Sequence, residues 1–285
     1  MTTTIFQAPV CNLKTLDNLF IELTAKNCNQ RCKHCYIDFP FSKNVKDFIS
    51  PDLIKNALEE TKDKNLKCIY LTGAEPMTHP DFNMILRMCL KYNNVCICTN
   101  GSFINEKKAR FLRKVQDEGD NEIIFKLSLD SYDELKNDEI RSRGSYRQVL
   151  CAIKHLIKYN FNPIVTVTNY YEEDHSTLLG NLKSIFRDIG FDAQDRNICI
   201  NTCYKNNSDE IINEYNGSKL DCEYGRMLTA KGVYTCSFLA NDHRGRCGSD
   251  FSDFSDKAVL ESEYCNTCLK NKRQVFGIDF SEFNS

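Results

Sequence analysis

Cys28-Asn-Gln-Arg-Cys32-Lys-His-Cys35 places three thiols at C-x3-C-x2-C spacing, directly after the apolar run at residues 19–23. Three thiolates on one short loop can wrap a compact inorganic centre, and soft sulfur ligands favour iron–sulfur clusters, zinc or copper(I). A closed zinc site needs a fourth ligand, for which His34, wedged between two of the thiols, is the nearby candidate. With three ligands only, a four-iron cubane keeps one iron open to an outside group. The loop is then a site of chemistry rather than a staple.

Further polar residues stand where apolar runs end. The run at 67–71 stops at Thr72-Gly73-Ala74-Glu75-Pro76, the run at 95–98 at Thr99-Asn100-Gly101, and the run at 122–129 includes Ser128-Leu129 and meets Asp130. Glycine permits a tight turn, a carboxylate such as Glu75 can hold an ammonium, and alternate strand residues such as Ser128 and Asp130 point the same way. An ordinary Gly-Pro turn also accounts for residues 73–76, and Asn100-Gly101 is a common turn pair.

The elements that position these groups alternate. Ser50 can cap a helix that has Pro51 at its first position and Leu53, Ile54, Ala57 and Leu58 as its apolar stripe. Pro80 opens a second helix, Asn105 caps a third, and Ser145-x-x-Gln148 reads as a capping box for a fourth. A fifth runs from about Leu178 to Ile189 and is stopped by Gly190. Strands at 19–23, 67–71, 95–98, 122–129, 164–168 and 197–202 separate them. Six strands alternating with five helices predict an α/β fold of parallel βαβ units, short of an eight-fold barrel. In such barrels chemistry gathers at the C-terminal strand ends, where Glu75, Asn100, Ser128 and Asp130 fall.

The thiol loop followed by the aromatic Tyr36, the Gly73-Ala74-Glu75-Pro76 turn, Ser128-Leu129-Asp130 and Arg143-Gly144-Ser145 together resemble the radical S-adenosylmethionine (radical SAM) superfamily. The resemblance implies a partial (β/α)6 TIM-type barrel over residues 1–202. It implies a [4Fe-4S] cluster on Cys28, Cys32 and Cys35, whose open iron is chelated by the methionine end of SAM. An external one-electron reductant of flavodoxin or ferredoxin type then drives cleavage to a 5′-deoxyadenosyl radical. By the same resemblance Gly73, Ala74 and Glu75 face the SAM ammonium, Ser128 and Asp130 the ribose, and Arg143 the carboxylate. Thr168 and Asn169 would lie beside the adenine, with Tyr36 and Asn100 also toward the cofactor. Ala74 stands in place of a second glycine, and so does Tyr146.

Beyond Thr202 the alternation stops and cysteines return as Cys222-x9-Gly232-x3-Cys236 and Cys265-x2-Cys268. Residues 226–229 and 233–236 flank Ala-Lys-Gly, a three-residue hairpin loop with Gly232 left-handed. That hairpin would bring Cys222 and Cys236 together, and the C-x2-C pair completes a four-thiolate site for a second [4Fe-4S] cluster or zinc. Residues 203–285 resemble a shortened SPASM module, the twitch domain (β-hairpin plus helix), with the glycine–cysteine gap one residue short. Cys247 has three readings: a hydrogen-atom donor to a substrate radical, a cluster ligand, or an incidental buried thiol. Cys11, Cys68, Cys89, Cys96, Cys98, Cys151, Cys199 and Cys203 read as core fillers.

Lys+Arg and Asp+Glu nearly balance to a formal charge of −2 across 285 residues. No basic stripe predicts nucleic acid, and no apolar run approaches transmembrane length. Sixteen cysteines without a signal-peptide pattern at residues 1–10 predict a reducing cytoplasm rather than a disulfide scaffold. The resemblance implies a radical oxidoreductase with the auxiliary cluster as electron acceptor. The alternatives are a redox-neutral epimerase of a sugar or peptide using Cys247, and a non-catalytic iron–sulfur or zinc protein. The short stretch before Cys28 leaves no leader-binding module, so a small polar molecule or short peptide is the expected substrate.

Overall fold

The computed structural model describes residues 8–37, 39, 47–204 and 219–278. Six strands, β2 (Asn18–Thr24), β3 (Cys68–Gly73), β4 (Val95–Thr99), β5 (Ile123–Ser128), β6 (Ile164–Asn169) and β7 (Ile198–Thr202), lie side by side in chain order, all parallel. Helices α1 (Pro51–Thr61), α2 (Phe82–Leu90), α3 (Glu106–Gln116), α5 (Ser145–Lys158) and α6 (His175–Asp188) connect them. This is the partial TIM-type barrel that the alternation predicted.

The barrel forms because each strand is apolar on both faces, as parallel strands covered by helices must be. Leu19, Ile21 and Leu23 of β2, Ile69 and Leu71 of β3, and Phe125 and Leu127 of β5 pack outward into the main core. There they meet Ile54, Leu58, Ile85, Leu112, Ile153 and Leu156 from the helices. The alternate residues, Phe20, Cys68, Tyr70, Cys96 and Ile164, form a second, inner cluster. Each fully buried aliphatic side chain stabilises by roughly 1.5–3 kcal/mol, so a charge at Ile153 would break this layer.

Ser50 caps α1 by accepting from Leu53 N at 3.2 Å, and Asn105 caps α3 by accepting from Lys108 N at 2.9 Å, as expected. The expected capping box at Ser145 does not form. The residue before α5 is Gly144 at φ +83°, and Ser145 is already helical. The cap comes instead from α4 (Glu134–Ile140), a helix its short polar sequence concealed. Asp138 accepts from Tyr146 N at 2.9 Å and from Ser145 Oγ at 3.1 Å. The helix expected from Pro80 starts at Phe82.

The C-terminal hairpin extends the same sheet. β8 (Gly225–Thr229) pairs parallel to β2, β9 (Gly232–Tyr234) pairs antiparallel to β8, and β10 (Arg246–Gly248) pairs antiparallel to β9. Thr229 faces Gly232, so the loop is two residues long rather than three. Gly232 sits at φ +130°, and a Cβ there would stand 2.5 Å from the Gly248 carbonyl oxygen. A separate ladder joins β1 (Val10–Asn12) to β11 (Lys257–Val259), which brings the N-terminal stretch beside α7 (Asp221–Tyr224) and α8 (Glu263–Asn271). Among the described residues no helix is long and apolar enough to cross a membrane.

Candidate active site

Strand parity builds the site. Inward positions are apolar at the barrel floor and turn polar toward the C-terminal ends: Thr72 on β3, Cys98 on β4, Lys126 and Ser128 on β5, Thr166 and Thr168 on β6, Asn201 on β7. All seven line one cavity of about 210 Å³. The thiols of Cys28, Cys32 and Cys35 line the same cavity, together with Tyr36, Gly73, Ala74 and Asn100.

His34 does not complete a metal site. Its Nε2 lies 2.6 Å from Asp130 Oδ2, which leaves the loop with three sulfur ligands. Among the described residues no three His, Cys, Asp or Glu side chains converge as a single metal ion requires. A cubane differs, because each thiolate ligates its own iron. Nitrogen donors reach two of the sulfurs: Asn100 Nδ2 to Cys28 Sγ at 3.7 Å and Arg141 Nη1 to Cys32 Sγ at 3.8 Å. Such N–H···S contacts tune a bound cluster's potential. Burial pushes the Cys28 and Cys35 thiols up to about 11, so a metal must displace their protons. Three sulfurs, no fourth ligand among the described residues and adjoining open volume fit a four-iron cluster with one free corner.

Glu75 is fully buried and, unlike Gly73 and Ala74, does not line the cavity. It accepts from Thr99 Oγ1 at 2.7 Å, Asn100 N at 2.9 Å and Met77 N at 3.2 Å. Burial outweighs those bonds and raises its carboxyl to about 7. Gly73 before it sits at φ +112°, and a Cβ there would meet the Thr24 carbonyl oxygen at 2.4 Å. Only glycine fits.

Asp130 is placed differently from its expected ribose role. It does not line the cavity, and its side chain is wholly buried. Its oxygens meet Arg141 Nε at 2.6 Å, His34 Nε2 at 2.6 Å and Thr168 N at 2.9 Å. Burial alone would raise its carboxyl, but the Arg141 guanidinium and His34 outweigh it and hold it well below the usual range. Asp130 therefore ties the thiol loop to Arg141 and β6.

The expected Arg143 is exposed and absent from the cavity lining; Arg141, two residues earlier, is the buried arginine there. Asn169 is also off the cavity, bonded through its amide to the backbone of Glu173 at 2.7 and 2.9 Å. Of the three readings of Cys247, its surroundings match an incidental buried thiol. It lines neither cavity, packs against the main core, and contacts Gly245 O at 3.5 Å.

Cys222, Cys236, Cys265 and Cys268 do meet, around a second small cavity. Buried Arg226 secures it, donating to Cys222 O at 2.6 Å and Asp256 O at 2.6 Å. Phe238 lines both cavities, so one ring separates them. Cys11 is a thiol that sequence reading assigned to the core. The β1–β11 ladder carries its Sγ to 3.1 Å from Cys222 Sγ. Nothing local marks it. Lys126 and Cys98, by contrast, were findable from strand parity, two residues before Ser128 and Asn100.

Residues 23–180, more than half of the chain, match the profile of the Radical SAM superfamily. The GTP 3',8-cyclase of Campylobacter jejuni subsp. doylei is 24% identical over 275 residues, 93% of this chain and 79% of that protein. That of Campylobacter curvus is 27% identical over 145 residues, 50% of this chain and 43% of that protein. The chain thus spans less than half the length of some of these curated relatives. Among solved structures, anSMEcpe with bound AdoMet superposes with a TM-score of 0.63 at 15% identity, covering 84% of this chain and 79% of that one. Streptococcus suis SuiB bound to precursor peptide SuiA gives 0.62 at 14%, covering 85% and 64%. At these identities the likeness is one of fold.

Proposed function

The chain belongs to the radical SAM superfamily, and from that premise we propose that it oxidises a small polar molecule or short peptide, with an auxiliary [4Fe-4S] cluster as electron acceptor. The radical SAM core takes residues 1–202, and residues 203–285 form a twitch-like module. A [4Fe-4S] cluster with SAM on its open iron supplies the 5′-deoxyadenosyl radical that removes the substrate hydrogen.

Each residue then has a task. Cys28, Cys32 and Cys35 hold the first cluster, and Cys222, Cys236, Cys265 and Cys268 the second. The SAM ammonium meets the Gly73-Ala74-Glu75 turn, which the Glu75 carboxylate braces from behind the cavity wall by accepting from Thr99, Asn100 and Met77. Arg141, rather than Arg143, is the cation facing the SAM carboxylate, held in place by Asp130. Gly73, Ala74, Asn100, Ser128 and Thr168 shape the cofactor's bed, and Tyr36 closes it edge-on against Phe238, with ring centroids 5.3 Å apart.

The shared wall at Phe238 carries this reading. Phe238 borders both the barrel cavity and the second thiol set, so the two adjoin at one residue, which favours electron transfer between them. The relatives named for GTP, and SuiB solved with a peptide, leave both substrate classes in view. Redox-neutral inversion is the second reading, supported by Cys98, a thiol in the cavity lining outside the C-x3-C-x2-C loop.

Anaerobic reconstitution with iron and sulfide quantitation tests the proposal. About eight irons per chain are expected, falling to about four when Cys265 and Cys268 are replaced. Wild-type protein making no 5′-deoxyadenosine from SAM under reduction would overturn it.

A further inference from the structure

Among the described residues, Lys126 is a buried cation that no carboxylate meets in an ion pair. It is 6% exposed and faces the barrel interior, where its Nζ donates to Phe276 O at 2.7 Å and Val275 O at 3.1 Å. An ammonium has three donors, so two carbonyls leave one unspent. Asp221 acts on Lys126 through space, but among the described residues no ion pair joins them, and its oxygens accept from the amides of Val275, Phe276 and Gly277.

The cavity that Lys126 lines is lopsided in charge. His34 and Arg141 also line it, and the one carboxylate that meets them both, Asp130, lies outside the lining; no Asp or Glu is among the described lining residues. Beside Lys126, on the next strand, Thr166 carries a buried hydroxyl with no hydrogen-bond partner among the described residues, and it too lines the cavity. β-Sheet register sets Thr166 directly across from Ser128 and Ile164 across from Lys126. Buried charges and buried hydroxyls are normally satisfied, so a cation and an orphan hydroxyl facing one cavity call for a ligand with acceptor oxygens.

We propose that Lys126 and Thr166 form a substrate subsite for an anionic oxygen group, a carboxylate or a phosphate. This rests on the cavity being the substrate chamber of a radical SAM enzyme, and narrows the substrate class to an anion. Lys126 supplies the charge, Thr166 a donor, and the neighbouring Ser128 and Asn201 additional polar contacts.

Binding of inorganic phosphate and of malonate to anaerobically reconstituted protein, by calorimetry at matched ionic strength, is the test. Wild type is expected to bind one of the two at millimolar concentration, and which one identifies the source. Lys126→Met should weaken that binding about tenfold or more, and Lys126→Arg should retain it. Thr166→Val should weaken it several-fold, and carries the test if Lys126→Met fails to fold. Equal binding by wild type and these variants, or no binding of either probe, overturns the inference. Assaying 5′-deoxyadenosine from the same wild-type preparation keeps the two questions apart. Binding without that product sinks only the enzyme reading, and product without binding sinks only the subsite.

Discussion

Cys11 Sγ and Cys222 Sγ lie 3.1 Å apart, although 211 positions separate them in the chain. The pair is buried, and Cys222 simultaneously lines the cavity shared with Cys236, Cys265 and Cys268. If the four thiols lining that cavity hold the second cluster as proposed, Cys11 is a fifth thiol in contact with one of them and a candidate to replace Cys222. Cys222→Ser alone is expected to keep about eight irons per chain, whereas Cys11→Ser/Cys222→Ser should fall toward four. Iron and sulfide analysis with Mössbauer spectra distinguishes the outcomes. Equal loss in the single variant would show that Cys11 takes no part.

Glu75 sets a pH dependence of stability. Its folded carboxyl, raised by burial to about 7, prefers the proton more than the unfolded chain does. The contribution is fully present below the unfolded value near 4.5 and is lost as pH rises through about 7, amounting to roughly 3 kcal/mol. Asp130 is shifted the opposite way, so its effect lies in the acid range outside this window. Urea midpoints of apo-protein should fall between pH 5 and pH 8, and Glu75→Gln should flatten the slope.

The Asp130–Arg141 pair should be costly to break. Asp130→Asn leaves a buried guanidinium with no counter-charge, so a loss of about 3–5 kcal/mol is expected by denaturant titration. Arg141→Met with Asp130→Asn removes both charges and should recover part of that loss. A surface-like change below about 0.5 kcal/mol for the single variant would contradict the geometry.

Gly73→Ala should be damaging despite its size. The added Cβ would stand 2.4 Å from the Thr24 carbonyl oxygen at a φ of +112°, so the turn must move, along with Glu75. At least about 1–3 kcal/mol is expected. Gly144→Ala, also at positive φ but with open space around it, should cost less. Thermal melts of the two variants give the comparison.

The two candidate thiols separate cleanly. Cys98→Ala should change product distribution or turnover, because Cys98 lines the barrel cavity, and Cys247→Ala should leave both nearly unaltered. Product analysis by mass spectrometry in deuterated solvent reads this, since a thiol donor delivers solvent deuterium.

Much of the barrel was legible from local chemistry. Periods of 2 and 3.6, Ser50 and Asn105 as caps, and Gly73 before Glu75 each act over a few residues, and each is found where expected. The thiol loop is likewise a short-range object, with three ligands inside eight residues. Where two arginines stand close together, the sequence motif singles out the exposed one. Arg141 and Arg143 differ only in which side of a helix end faces the cavity, a matter of the Asp130 partner. Ser145 lost its capping role to Asp138, which reaches the helix from a different element.

Residue order alone determined the alternating α/β layers, the three-sulfur loop and the polar strand ends, because each is encoded by neighbours within a turn or a strand. Only the tertiary structure decided that Asp130 is sealed by His34 and Arg141, that Lys126 rests on the carbonyls of Val275 and Phe276, and that Cys11 meets Cys222. Those outcomes depend on strand order and on the β1–β11 ladder, which bring together groups whose separation along the chain carries no local signal.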